Sequence, residues 1–492
     1  ARQLRVSSNE AQQEAGHIAL RGISNVLAGS SHSGVAPRNV AKTVTLALTL
    51  SRESEPVCLS ACTALANLAT TSEGVKRALE AHAHRALFST MIPRGATVKQ
   101  FLHKFIGETD AQPASPLQIE ALCALHNLSH TVHGRERLVS ELPSLVAVTT
   151  TFLHSDTPSA VEHAAALLAN LSNTTKGRQA AVDAATSEYV LNLMDISVFH
   201  QHFKAAEYGI CLLTNLAMND AGRYMLLDLH APRSLVGLLK VPKQCNWCNK
   251  ELVLTCLVNL ARCTEGADYA VVHSDLETVV IHELETNDNP KIKLLCLAVL
   301  RNTSPHPLSL TRGSPVVAKL LVNKLHSLRA LNTGGWGGLT AEETTLYMHV
   351  IALLNNLSCS PSGALKVLHH DSFARVKGRH GILSNLSAVL ADLHTPESSL
   401  LDITRAIGNL GEQTPGGVDE QTVQELLTVL SDDSRPSPLH LAASIALTQI
   451  LGQDKTQKRV HAIRGKRRQP NTEVQMLPST AKVVAGDSEG GG

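Results

Sequence analysis

One phrase returns along this 492-residue chain and limits what it can fold into. It reads ALCALHNLSHTVHGR at Ala121 to Arg135, then ALLANLSNTTKGR (166–178), CLLTNLAMNDAGR (211–223), TCLVNLARCTEGA (255–267) and ALLNNLSCSPSGA (352–364). Aligned on its asparagine, the phrase marks Asn25, Asn67, Asn127, Asn170, Asn215, Asn259, Asn302, Asn356 and Asn409, with Gln449 in the matching place of a tenth unit. Spacings of 40 to 45 residues, wherever no insertion intervenes, are those of a helical solenoid. Each unit of such an array needs its neighbours to bury its apolar face.

On a helical wheel the residues one after the asparagine (Leu68, Leu128, Leu171 and their equivalents, Val26 in the first unit) fall beside those two before it (Leu65, Leu125, Leu168). Position −6, from Ala19 through Ala61 and Ala121 to Ile403, lies between them and is small or apolar in every unit. These positions predict a buried stripe, and the asparagine is left on the opposite side with positions −4, −7 and −11. Pro56, Pro116, Pro158 and Pro290 stand about a helix length before the asparagine, as prolines at a helix start do. Between Asn127 and Asn170 the pattern predicts a short helix from Gly134, a longer one over 142–154 and a third opening at Pro158. The glycine seven residues after the asparagine (Gly74, Gly134, Gly177, Gly222, Gly266, Gly363, Gly416) suits a tight corner with positive φ; it fails at His32 and Ser309.

Composition narrows the class. Lys plus Arg number 44 against 43 Asp plus Glu, so no strong overall field draws the chain to nucleic acid or an anionic membrane. Aromatics are 3%, poor for base-stacking platforms and compatible with closely stacked helices. No run of 18 apolar residues and no basic-then-apolar leader is visible, although the chain begins at an alanine and a removed leader stays open. Cysteines inside apolar helical segments (Cys62, Cys123, Cys211, Cys256, Cys296) favour a reducing compartment. The Asn-x-Ser triplets at the repeat asparagine arise from the repeat and are read as unglycosylated.

Phrase and period together resemble the armadillo repeat, over about Glu10 to Gly452. The resemblance implies an all-α, right-handed armadillo-repeat superhelix of about ten three-helix units (H1, H2, H3), in which H3 lines a concave groove and its asparagine bonds the backbone of a bound peptide. By that resemblance the nine asparagines form a partner-binding row. Position −4 departs from the tryptophan of nuclear-import receptors of the importin-α type: it reads Arg21, Thr63, Cys123, Ala166, Cys211, Thr255, Ala298, Ala352 and Arg405. The Lys/Arg-lined groove of a β-catenin-like reader of acidic tails is absent as well, and the glycine-rich H1–H2 turn is poorly kept. Position −7 (Ile18, Ser60, Glu120, His163, Tyr208, Leu252, Leu295, His349, Asp402) predicts a floor that is polar or acidic early and apolar at Leu252 and Leu295. An amphipathic partner segment would suit it.

Solenoid 1–452 carries insertions near 91–115, where Phe101, Phe105 and Ile106 predict an extra helix face, and near 331–340 and 370–381. Residues 453–492 form a tail, expected to be extended or disordered, with the cations Lys455, Lys458, Arg459, Arg464, Lys466, Arg467 and Arg468 before a glycine-ended stretch. Nuclear targeting, an RNA phosphate contact and an acidic protein surface such as tubulin are each compatible with that charge. Arg135, Arg178 and Arg223, after the turn glycine, read either as a basic rim or as solvated H1 starts.

Catalytic and metal signals are thin. Cys245-Asn-Trp-Cys248 with Cys256 and Cys263 has redox or zinc spacing but lacks a converging second pair, so a loop anchored by Trp247 is preferred. His126, His130, His133, His200 and His202 follow no HExxH frame and read as surface or capping histidines. Gly334-Gly-Trp-Gly-Gly338 lacks the lysine of a phosphate loop. The expectation is therefore a non-enzyme with no metal and no cofactor: an intracellular scaffold or adaptor holding an extended or helical protein segment. The favoured setting is a fixed part of a large assembly such as a ciliary or flagellar axoneme, cytoplasmic or cytoskeletal, with the nucleus left open and no membrane partner. The alternatives are a reversible transport or chaperone-type receptor, and an RNA-associated assembly factor working through the basic tail.

Overall fold

In the computed structural model the described residues are 2–29, 39–52, 54–107, 113–193, 203–240, 249–306, 309, 314–330, 339–376, 381–392, 395–414, 418–432 and 434–452. All their regular elements are helices. The chain divides into two compact units, Ala1–Arg379 and His380–Gly492, the division falling inside the third insertion.

Within the first unit, the fourth repeat shows the plan. H1 runs Val132–Glu141, H2 Leu145–Thr151 with a 3₁₀ turn Phe152–His154, and H3 Pro158–Leu171. H1 thus starts before Gly134 and not at it, because Thr131 caps it: its hydroxyl accepts the Gly134 N–H at 3.0 Å. The same cap recurs four residues after the asparagine as Thr71, Thr174, Asn219, Cys263 and Ser360, each accepting from the glycine three residues on.

The glycines therefore sit inside H1, and the expected positive φ is not their reason. Among the described glycines only Gly95 and Gly452 have it. What excludes a side chain is the end of H3: a Cβ on Gly74, Gly134, Gly177, Gly222, Gly266 or Gly363 would stand 1.8–2.3 Å from the carbonyl oxygen of the leucine that follows the repeat asparagine. H1 begins against that carbonyl, and only a hydrogen fits. At Ser309, where the glycine fails, the buried hydroxyl donates to Glu277 instead.

Positive φ falls at the next corner. His82, Ala185 and His230, at the H1–H2 turns of three repeats, have φ of 56°, 49° and 57° without being glycine. Left-handed backbone of this kind costs an L-residue about 1–2 kcal/mol. In these three repeats the H1–H2 turn is left-handed without glycine, whereas Ser144 and Asp275, entering H2 of two others, keep negative φ.

The apolar stripe is buried as the wheel predicts. Leu65, Leu125, Leu168, Leu213, Leu257 and Leu300 are at most 1% exposed, as are Ala61, Ala121, Ala164, Val253, Cys296 and Val350 at position −6. Burying each leucine is worth roughly 1.5–3 kcal/mol. The first helix, Arg2–Gly29, is the exception: Val26 is 67% exposed and Ala19 exposed, while Leu20, Ser24 and Leu27 turn inward onto the H3 helix Glu55–Leu68. No described helix covers its other side.

An extra helix does occupy the first insertion, Val98–Gly107, with Phe101 buried 6.3 Å from the ring of Phe152. Side chains of Phe105 and Ile106 lie outside the described residues, as do Gly416, His32, His200, His202, Cys245 to Cys248, Gly334 to Gly338 and the cations Lys455 to Arg468.

The second unit pairs H3 helices Glu397–Glu412 and Ser437–Leu451, with H2 helices Ile382–Leu390 and Glu420–Ser431. A Cβ on Gly408 would lie 2.9 Å from Ala446 Cα, so the two H3 backbones approach closely there. Gln449, standing where other repeats have asparagine, donates to Glu412 Oε2 at 3.1 Å. No helix of the described residues is long and apolar enough to cross a membrane.

Candidate functional site

Each H3 helix carries the repeat asparagine near its C-terminal end, where the last carbonyls lack helical partners. In seven consecutive repeats of the first unit the amide reaches one repeat back. Nδ2 of Asn67, Asn127, Asn215, Asn259, Asn302 and Asn356 donates to the carbonyls of Ser24, Ala66, Ala169, Thr214, Val258 and Arg301 at 3.0–3.3 Å. Asn170 donates to Ser129 Oγ at 2.9 Å, and Asn67, Asn215 and Asn356 add the hydroxyls of Ser24, Ser172 and Ser304. Nδ2 of every one of these amides is therefore a repeat-to-repeat tie. Among the described residues no donor reaches the Oδ1 of these seven, and all are half-buried. The tie fixes the amide plane through Nδ2 and leaves Oδ1 without a donor among the described residues. Asn25 is exposed, and Asn409 is half-buried in the second unit.

Around this row the floor is knit across repeats. Thr63 Oγ1 donates to Glu120 at 3.0 Å, Ser60 Oγ meets His17 Nδ1 at 2.8 Å, and Arg301 lies 3.1 Å from His349 Nδ1. Glu120, His163, Tyr208, Leu252 and Leu295 are all half-buried, so each offers surface without standing free. Two of them meet in an aromatic cluster. The His126 ring centroid is 4.7 Å from His130, 5.9 Å from His163 and 6.1 Å from Tyr208, and the Nε2 atoms of His126 and His130 are 3.1 Å apart.

Burial, helped by the neighbouring His130 and His163, lowers the His126 pKa to about 4; burial lowers those of His130 and His163 as well. His349 is held at about 4 by burial and by Arg301. At neutral pH these histidines carry no charge, so the cluster is an uncharged aromatic surface with hydrogen-bonding edges. Burial pushes the Cys123 thiol up to about 11 and raises that of Cys211, so neither is a thiolate nucleophile at neutral pH.

The repeat pattern puts His163 and Tyr208 on this floor but leaves out His126 and His130, which read from sequence as surface or capping residues. The i, i+4 spacing of the pair is the available signal, and nothing in the sequence shows that His163 and Tyr208 of later repeats close on it. Arg135, Arg178 and Arg223 correct another expectation. They are neither a rim nor solvated: Nη1 of each turns back to cap H3, donating to the carbonyls of Ser129, Ser172 and Ala217 at 3.1–3.2 Å. The three cations sit against the negative ends of the H3 helices.

One further group gathers metal-ligating atoms, His82, His84 and Glu141. Its carboxylate is already held by Arg137 at 2.5 Å, Arg85 at 2.7 Å and His84 Nε2 at 2.9 Å, which makes it a charge network with little room for a cation.

Comparison with known proteins gives a consistent picture. The model of the ARM repeat region of plant U-box proteins matches residues 42–282. No curated protein matches the sequence. An engineered protein of known structure superposes with a TM-score of 0.63 at 19% identity, covering 89% of this chain and 95% of its own. A structure from work on a phosphorylation switch controlling the interaction between cadherin and beta-catenin gives 0.59 at 13% identity, with 91% of each chain covered. A computationally designed armadillo repeat protein for modular peptide recognition covers 53% of this chain and 98% of its own, at a TM-score of 0.44 and 15% identity.

Proposed function

Because the chain is an armadillo-repeat protein, we propose that it is a non-catalytic scaffold that holds a segment of another protein along its H3 face. The observation that carries this reading is the row of seven oriented amides, Asn67 to Asn356, each tied through Nδ2 with no donor on Oδ1 among the described residues. A backbone laid across such a row finds acceptors and donors already fixed, which lowers the ordering cost of binding. The uncharged His126, His163 and Tyr208 patch followed by Leu252 and Leu295 suits an amphipathic segment with aromatic or aliphatic anchors. In its finer form the reading makes the partner a permanent neighbour in a large assembly, a ciliary or flagellar axoneme being one such setting. A row this long lets several repeats engage one segment, so dissociation is slow. The basic stretch Lys455 to Arg468 adds a contact for an acidic surface such as tubulin.

Cross-linking mass spectrometry on the native complex tests this, paired with Tyr208→Ala combined with Leu252→Asp. Cross-links from one partner segment should line the H3 face, and the double variant should lose capture at an unchanged melting temperature. Cross-links confined to H1 and H2, or undiminished capture, would overturn the reading. Rapid exchange of the captured segment would point to the reversible receptor instead. Loss of RNA binding on removal of 453–492 would favour the RNA-associated role.

A further inference from the structure

On the side of the repeats away from the asparagine row, H2 of the second repeat (Val40–Leu50) and H2 of the third (Ala83–Met91) enclose a cleft of about 380 Å³. Its polar wall is Lys42, Thr45, Thr49, Arg52, Arg85 and Ser89, with His82 at the mouth. No carboxylate of the described residues lines it. Among those residues neither Lys42 nor Arg52 has an acidic partner; Arg52 Nη2 donates only to Ser89 Oγ, at 2.7 Å, which turns the guanidinium into the cleft. Arg85 is held from behind by Glu141 Oε2, whose other oxygen belongs to Arg137. Three cations thus line one cleft, two without an acidic partner among the described residues and one paired with Glu141.

Thr45 also lines the cleft, but it is 8% exposed and its Oγ1 is covered, so the hydroxyl takes no part in the charge the cleft presents. Helical threonines ordinarily return that hydrogen to the preceding turn, as Thr49 does to the Thr45 carbonyl at 2.8 Å.

We infer that this cleft binds the phosphate of a phosphomonoester, with Lys42, Arg52 and Arg85 supplying the charge. The arginines offer the fork that matches phosphate oxygens, and Lys42 adds a point charge. Leu46 and Ala81 leave an apolar wall for whatever the phosphate is attached to. A free phosphomonoester and a phosphorylated side chain share this chemistry.

Isothermal titration of the full chain with inorganic phosphate, against chloride at matched ionic strength, is the test. Saturable binding to phosphate and none to chloride is expected. Lys42→Gln and Arg52→Gln, both at exposed positions, should each weaken it about tenfold. Thr45→Val should leave it unchanged, since that hydroxyl is covered. Phosphate heat no greater than that of chloride, or full affinity in both charge variants, would overturn the site. A phosphoserine peptide and a sugar phosphate then separate the sources: tighter binding of either assigns the ligand, and equal binding assigns recognition to the phosphate alone. Capture along the asparagine row is independent of all these outcomes.

Discussion

Asn215 Nδ2 lies 2.9 Å from Ser172 Oγ and 3.2 Å from the carbonyl oxygen of Ala169, one repeat back. The same amide so joins two H3 helices and is held in position by the junction. The row of asparagines is therefore structural and available at once, because the tie is made by Nδ2 and the amide oxygen keeps its acceptor capacity.

The donor role sets an order among substitutions. Asn215→Ala should cost about 1 kcal/mol, the net worth of one hydrogen bond. Asn215→Asp should cost more at pH 7, because it places a carboxylate oxygen against two acceptors. The gap should narrow below about pH 4, where the acid regains a proton to donate. Urea unfolding of the two variants at pH 7 and pH 3.5 measures this; equal stability at pH 7 would remove the tie.

Gly177→Ala addresses the other joint of the repeat. Its Cβ would stand 2.0 Å from the Leu171 carbonyl oxygen and 2.9 Å from Thr174 Oγ1, atoms fixed by the end of H3 and by the cap of H1. Relief requires H1 to move off H3, and a loss of about 2–3 kcal/mol is expected. Thermal unfolding should report it, along with faster hydrogen exchange in the H1 helix Thr175–Asp183.

Ala185→Gly is predicted to go the other way. Ala185 holds φ of 49° between H1 and H2. A glycine there removes a left-handed penalty of about 1–2 kcal/mol and adds unfolded-state entropy of about 0.5–1 kcal/mol. A net gain of about 0.5–1 kcal/mol should appear as a higher melting temperature. His230→Gly should gain less, since it also loses the 2.9 Å bond from His230 Nδ1 to Tyr269.

Much of this architecture is legible in the sequence because it repeats. The stripe from Leu65 to Leu300 needs only helical geometry, and the period supplies the solenoid. Gly134 is legible as a requirement but not as a mechanism: a sequence shows that a side chain is excluded, and only the Leu128 carbonyl shows whether space or backbone angle excludes it. His126 and Arg135 escape sequence reading for a common reason. Their roles depend on side-chain direction across a junction, His126 toward Tyr208 two repeats on and Arg135 back onto Ser129, and no single-unit pattern encodes that.

The same histidines give the protein an acid response in two separable windows. His126 and His349, held by burial at about 4 against an ordinary 6.5, bind protons less readily folded than unfolded. Their contribution is complete above pH 6.5 and is lost as pH falls from 6.5 toward 4, by about 2 kcal/mol per histidine once partial solvent screening is allowed for. Glu141, drawn down to about 2 by Arg137 first and then by His84, acts lower. Its contribution is present above 4.5 and is lost between 4.5 and 2. Unfolding free energy measured from about pH 7.5 to 2.5 should therefore decline in two stages. His126→Gln with His349→Gln should flatten the upper stage and leave the lower, whereas Glu141→Gln should do the reverse. Protonation of His126 beside His130 and His163 also places like charges within one cluster, so a segment held there should be released over the upper window and retained in the double-histidine variant. Release that tracks only the lower window would separate the cluster from the binding surface.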